Sequence, residues 1–154
     1  MRFAFYEFLH SRFLPRLHLL MLAGGIAVAL SAVAATTAHG GYTAAQANDG
    51  ARVFSNHCAQ CHGYELQGQT GPALSGKDFA TLLQYSNMST TQLYEFISTL
   101  MPKDDPGSLS TQQYLDVLAF ILSKNGYPAG DEALSRSSLG NIKLLPFPGK
   151  SQSP

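Results

Sequence analysis

The feature that most constrains this chain is NHCAQCHGYE, residues 56–65. It holds the only two cysteines, Cys58 and Cys61, with His62 directly after the second. Three chemistries use two thiols and an imidazole this close together: a structural zinc ion, a redox-active disulfide, and covalent attachment of a haem. Each demands different surroundings, and the rest of the sequence discriminates among them.

A structural zinc site needs four ligands, usually two Cys-x-x-Cys pairs or one pair with two histidines. His57 and His62 flank the cysteines, but donors so crowded along the chain cannot easily close a tetrahedron around one ion. The other histidine beyond the N-terminal segment is His39. A thioredoxin-type site follows a strand in an α/β pattern. Here strand patterns are absent, and the pair ends a helical pattern.

The haem reading needs Cys-x-x-Cys-His, which is complete. Two thiols three positions apart on a helical turn reach the two vinyl groups on one edge of a porphyrin and form thioethers. His62 then lies beneath the ring and binds the iron. One such motif predicts one covalent haem c. A histidine bound to a metal usually donates its other ring hydrogen to an acceptor, which fixes its orientation and strengthens it as a ligand. The segment TGPAL, residues 70–74, offers one, because the carbonyl of Pro72 can be aimed at His62.

The N-terminus fits an exported protein. Residues 1–16 carry Arg2, Arg12 and Arg16 against Glu7, and residues 17–38 contain no charged side chain. A basic start, an apolar run and small residues after it form a secretory signal. The expected cleavage is after Ala38, where the segment turns polar. The alternative is an uncleaved anchor, since a span needs ~20 apolar residues. Gly24, Gly25 and the alanines make the run weakly hydrophobic for that role. Without residues 1–38 the chain keeps seven basic and nine acidic residues, a net charge of −2 with no basic run. That argues against a nucleic-acid partner.

Residues 39–142 are expected to form one domain, and residues 143–154 a flexible tail. Three segments have helical periodicity. In residues 43–57, Thr43 and Gln46 fit a capping box, in which each side chain satisfies a free backbone donor of the first turn. Ala47, Gly50, Ala51 and Phe54 make one apolar stripe. Glycine inside a helix costs ~1 kcal/mol against alanine, so Gly50 on the apolar face suggests a close helix crossing. In residues 89–100, Ser89 and Gln92 fit the box, and Leu93, Phe96, Ile97 and Leu100 form the stripe. Pro102 ends that helix, because the residue before a proline is pushed out of the α region. In residues 111–124, Ser110 and Gln113 fit the box, and Tyr114, Val117, Leu118, Ile121 and Leu122 face inward. Gly126 suits the left-handed position after the helix. Residues 63–79, with four glycines and a proline, read as an ordered loop, with a short helix following near residues 79–85. The fold class is all-α, with three to five helices.

His62 fills one axial position of an iron. Methionine or histidine in the other makes an electron carrier. Beyond the N-terminal segment the methionines are Met88 and Met101. Most methionines are core filler. Met101, however, ends an apolar stripe at the break forced by Pro102, which puts a flexible thioether on a loop facing the core. Met101 is therefore the expected sixth ligand. His57, next to Cys58, is on the wrong side to close the far face.

These motifs together resemble class I cytochrome c over residues 43–125. Gly50 and Phe54 match that family's N-terminal helix, and DVLAFIL, residues 116–122, its C-terminal helix. TGPAL matches the proline segment behind the iron-bound histidine, and Met101-Pro102 the methionine ligand. The resemblance implies a class I cytochrome c fold around one covalently bound haem. Residues 101–130 are similar to small cytochromes associated with quinoprotein alcohol dehydrogenases, and to cytochrome subunits of some terminal oxidases. The segment from residue 127 to about 142 is then expected to pack back on the domain. With no tryptophan in the chain, a tyrosine such as Tyr85 is the candidate to meet a haem propionate. The implied function is electron transfer rather than catalysis. A monomeric periplasmic carrier would pass single electrons between a quinoprotein dehydrogenase and an oxidase. The alternative is a cytochrome subunit held in a membrane-bound dehydrogenase or oxidase complex, which requires residues 17–38 to stay uncleaved.

Overall fold

The structure is a computed structural model that describes residues 41–148. The expected signal segment 1–38, its expected cleavage after Ala38, and His39 lie outside the described residues. So does the end of the tail, residues 149–154. Among the described residues there are five α-helices, one 3-10 turn at Leu139–Asn141 and no strand: α1 Ala44–His57, α2 Ala59–His62, α3 Gly76–Ser86, α4 Thr90–Leu100 and α5 Thr111–Lys124. None of them is long and apolar enough to cross a membrane.

The centre of the fold is the crossing of α1 and α5. A Cβ built on Gly50 would collide with the backbone carbonyl of Asp116 and lie 3.0 Å from the Cβ of Phe120. The helices therefore touch backbone to backbone at Gly50. Beside the crossing, the rings of Phe54 and Phe120 pack at 5.3 Å between centroids, tilted by 54°. On α5 everything from Tyr114 to Leu122 is buried. Its end is a full Schellman motif. Gly126 adopts φ 81°, its N–H donates to the Ser123 carbonyl, and the Tyr127 N–H donates to that of Leu122.

The capping boxes of α4 and α5 form with both reciprocal bonds. That of α1 forms only half. Thr43 accepts from the Gln46 N–H, but the Gln46 side chain turns away. Its Nε2 donates to the Leu134 carbonyl at 3.0 Å, and its Oε1 accepts from the Leu134 N–H at 2.7 Å. A buried amide with two matched backbone partners outcompetes a single exposed cap bond.

The segment after α5 packs back on the domain. The Tyr42 hydroxyl donates to the Tyr127 carbonyl, and the Tyr127 hydroxyl to that of Leu144. Thr90 Oγ1 donates to the Ile142 carbonyl at 2.8 Å. Packing continues into the stretch that the sequence assigns to a tail. Leu144 is buried, and Phe147 meets Phe79 and Tyr127 edge to face.

The stripe on α4 departs from expectation. Thr90, Leu93 and Tyr94 are buried, but Phe96 and Leu100 are 43% and 51% exposed. α4 packs against the 3-10 turn and α5. The side with Phe96 and Leu100 is left about half exposed.

Candidate functional site

α1 ends at His57, and the chain turns tightly into α2, whose four residues AQCH finish the motif. The Cys61 and His62 N–H groups both donate to the Cys58 carbonyl. Gly63, at φ 77°, stops the turn. His62 is thereby buried, whereas Cys61 is exposed and Cys58 half-buried, with no bond between the thiols. Burial, helped by the neighbouring Cys61, pushes the Cys58 thiol from its ordinary 9.0 up to about 11. A redox-active Cys-x-x-Cys needs a lowered thiol pKa to supply thiolate, so this environment is the opposite of a catalytic dithiol. Among the described residues no three His, Cys, Asp or Glu side chains converge on a point that could hold a metal. His57 is exposed at the end of α1.

The loop after α2 folds back onto the motif. The Gly68 N–H donates to the His62 carbonyl at 2.8 Å, and the Gly71 N–H to that of Cys61 at 2.8 Å. Gly71 then lies flat against the imidazole, where a Cβ would stand 2.9 Å from Cε1 and 3.0 Å from Nδ1 of His62. This close approach leaves the Pro72 carbonyl 2.8 Å from His62 Nδ1. A carbonyl can only accept, so Nδ1 carries the proton, and in the neutral ring Nε2 then keeps the lone pair. That tautomer is the one required of a histidine that binds a metal through Nε2.

A residue not singled out from the sequence holds this loop in place. Asn125, just past the end of α5, is buried. Its Nδ2 donates to the carbonyls of Leu74 and Ile121 at 2.9 and 2.8 Å, and its Oδ1 accepts from the Gly76 N–H at 3.0 Å. It joins the TGPAL segment and the start of α3 to the central helix pair. Its place as a helix-terminal Asn was readable in the sequence, but its partners 49 and 51 positions away were not.

Met101 sits where α4 stops, in extended conformation and half-buried. Met88 is also half-buried and lines a different cavity, against residues 142–145. Tyr85, at the end of α3, is 93% exposed.

The donor set suits a haem. It comprises paired thiols on one turn, an imidazole with a fixed tautomer and an available Nε2, and a thioether at a helix break. Comparison with curated proteins gives no match. Among solved structures the chain is similar to the sulfane dehydrogenase SoxCD from Paracoccus pantotrophus, at 23% identity and a TM-score of 0.49 over 62% of this chain. The chain spans about half, 51%, of that protein's length. The model of the family described as cytochrome c oxidase, cbb3-type, subunit III matches residues 45–121, half of the 154 residues. The chain belongs to that family and is a c-type cytochrome of class I, a haem-binding electron-transfer protein.

Proposed function

We propose that this protein is a periplasmic carrier of single electrons, with one covalently attached haem c held between His62 and Met101. The observation that carries the reading is the bond from His62 Nδ1 to the Pro72 carbonyl, which leaves Nε2 free and oriented. Cys58 and Cys61 anchor the porphyrin through thioethers, and the Pro72 carbonyl strengthens His62 as a ligand. When bound, the haem supplies a one-electron ferric–ferrous couple. The Met101 thioether is soft and uncharged, so it favours the ferrous state and raises the potential. With both axial positions filled by this chain, no site remains for oxygen or peroxide, which suits transfer rather than catalysis. Phe96 and Leu100, apolar and about half exposed on the helix that delivers Met101, suit the face of a porphyrin.

Residues 1–38 act as a signal, and residues 39–142 form the cytochrome domain. The partners are a periplasmic dehydrogenase, of quinoprotein type, and a terminal oxidase. They meet this chain in brief, small-area encounters, as electron-transfer proteins usually do. The family's description as an oxidase subunit favours the oxidase as acceptor. It also favours a second reading, in which the chain is held in a membrane-bound complex. Sequencing the N-terminus of the exported protein separates the two: a start near His39 fits the free carrier, and a start at Met1 the anchored subunit.

Visible spectra of the purified protein in both oxidation states test the haem and its ligands together. Denaturation should leave the haem attached, and Met101→Ala should lower the potential and open the iron to carbon monoxide. A wild-type protein that already binds carbon monoxide rapidly, unchanged by the substitution, would refute the Met101 assignment.

A further inference from the structure

Met101 begins a loop that has little of its own to hold it. Residues 103–108 are all exposed. The internal bonds are long: Asp105 N–H to the Pro102 carbonyl at 3.1 Å, Gly107 N–H to that of Met101 at 3.3 Å, and Ser108 N–H to that of Asp105 at 3.4 Å. Pro102 is buried, but from 103 to 108 no side chain supplies a further apolar anchor before Leu109, which is half-buried.

One side chain closes the loop at both ends. Tyr114, in the first turns of α5, is buried. Its hydroxyl donates to the Met101 carbonyl at 2.7 Å and accepts from the Leu109 N–H at 3.3 Å. The ring is fixed by the packed core of α5 at the helix crossing, so the hydroxyl is a stationary post. The bond to Met101 is the shortest in the loop and is made to the backbone of the residue whose side chain matters.

We propose that Tyr114 is the positioning residue for Met101: its hydroxyl ties the methionine backbone to the rigid α1–α5 pair and so sets how often the thioether leaves the iron. This inference rests on the reading of Met101 as an axial ligand. A flexible loop would let the ligand depart at the cost of a few weak bonds. With the tether, departure also breaks a partly buried bond and leaves the Tyr114 hydroxyl hydrogen without its acceptor. A hydrogen bond of ordinary net strength corresponds to roughly a fivefold change in an equilibrium. Any external ligand for the ferric iron must wait for the open form, so its apparent affinity scales with the open fraction.

The test uses the loaded, full-length protein and imidazole as the probe. Imidazole binding to the ferric form is titrated for the wild type, Tyr114→Phe, Tyr127→Phe and Met101→Ala. Tyr114→Phe keeps the ring and removes only the hydroxyl, and should bind imidazole about fivefold more tightly than the wild type. Its visible band from the thioether–iron bond should also weaken. Tyr127→Phe removes a comparable buried bond, the 2.7 Å contact with the Leu144 carbonyl. It should lower stability and leave imidazole affinity alone, which separates positioning from a general loss of stability. Met101→Ala should bind most tightly of all. If it does, while Tyr114→Phe stays within about twofold of the wild type, the tether is refuted and the ligand reading survives. If Met101→Ala binds no better than the wild type, the ligand reading falls and the tether with it. Should Tyr114→Phe not accumulate as folded protein, hydrogen exchange in the wild type decides: the Leu109 amide must exchange more slowly than that of Lys103, and equal rates overturn the proposal.

Discussion

Gly71→Ala probes the centre of the site with one added carbon. The new Cβ would stand 2.9 Å from Cε1 and 3.0 Å from Nδ1 of His62. Carbon atoms pack best at about 3.5–4.0 Å, so something must yield by roughly 0.6 Å. Two groups can move, the imidazole or the loop, and they are the two ends of one hydrogen bond. Pro72 follows Gly71 directly, and its carbonyl is 2.8 Å from His62 Nδ1. Either displacement lengthens that bond toward 3.4 Å, where it is weak. The backbone of Gly71 lies outside the left-handed region, so the effect is one of space alone. Overpacking of this kind destabilises by about 1–3 kcal/mol. Weakening the bond makes His62 a poorer donor to the ferric ion and raises the reduction potential. If the full net worth of the bond, about 1 kcal/mol, falls on one oxidation state, the rise approaches 40 mV, because about 59 mV is tenfold for one electron. Redox titration of the loaded protein measures it, with denaturant unfolding run alongside. An unchanged potential together with unchanged stability would refute the reasoning, since the ring would then not be wedged between Gly71 and Pro72.

Three further outcomes follow from the packing. Gly50→Ala gains ~1 kcal/mol of helix propensity, but its Cβ collides with a helix backbone that cannot rotate away. The net effect on unfolding should be a loss of about 1–2 kcal/mol, whereas Ser55→Ala, exposed on the same helix, should be close to neutral. Asn125→Ala strips partners from Gly76, Leu74 and Ile121 at once and should cost about 1–3 kcal/mol, with faster hydrogen exchange at the Gly76 amide. Burial raises the Tyr127 hydroxyl from 10.0 to about 12. The folded state then favours the neutral form, and that preference is fully present below pH 10.0. It is lost as pH rises from 10.0 toward 12, where the unfolded chain ionises first. Stability should fall across that window, and Tyr127→Phe should flatten the fall while lowering stability at neutral pH.

What was legible in the sequence was local. The capping boxes at Ser89 and Ser110, the stop before Pro102 and the left-handed Gly126 each depend on a few adjacent residues, so short-range rules reach them. Even Gly50 declared a close crossing, because a glycine on an apolar stripe has few other reasons to be there. The α3 helix was read too short, as residues 79–85 rather than Gly76–Ser86. Its first N–H is satisfied by Asn125 from the far end of α5, and the N-cap residue Ser75 makes no side-chain cap bond.

The sequence by itself determined the all-α class, the helix boundaries set by caps, and a Cys-x-x-Cys-His turn with TGPAL behind it. Tertiary structure alone decided where the multivalent polar side chains go. Gln46 had a cap partner three residues away and took Leu134 instead. Tyr114 reads as core, yet its hydroxyl holds both ends of the Met101 loop. Phe96 and Leu100 belong to an apolar stripe that the polypeptide leaves about half exposed there. The reason is common to Gln46 and Tyr114. Periodicity says which side of a helix is apolar and which residues can donate, but a buried donor goes to whatever acceptor the packed chain brings within 3 Å, and that choice is made at long range.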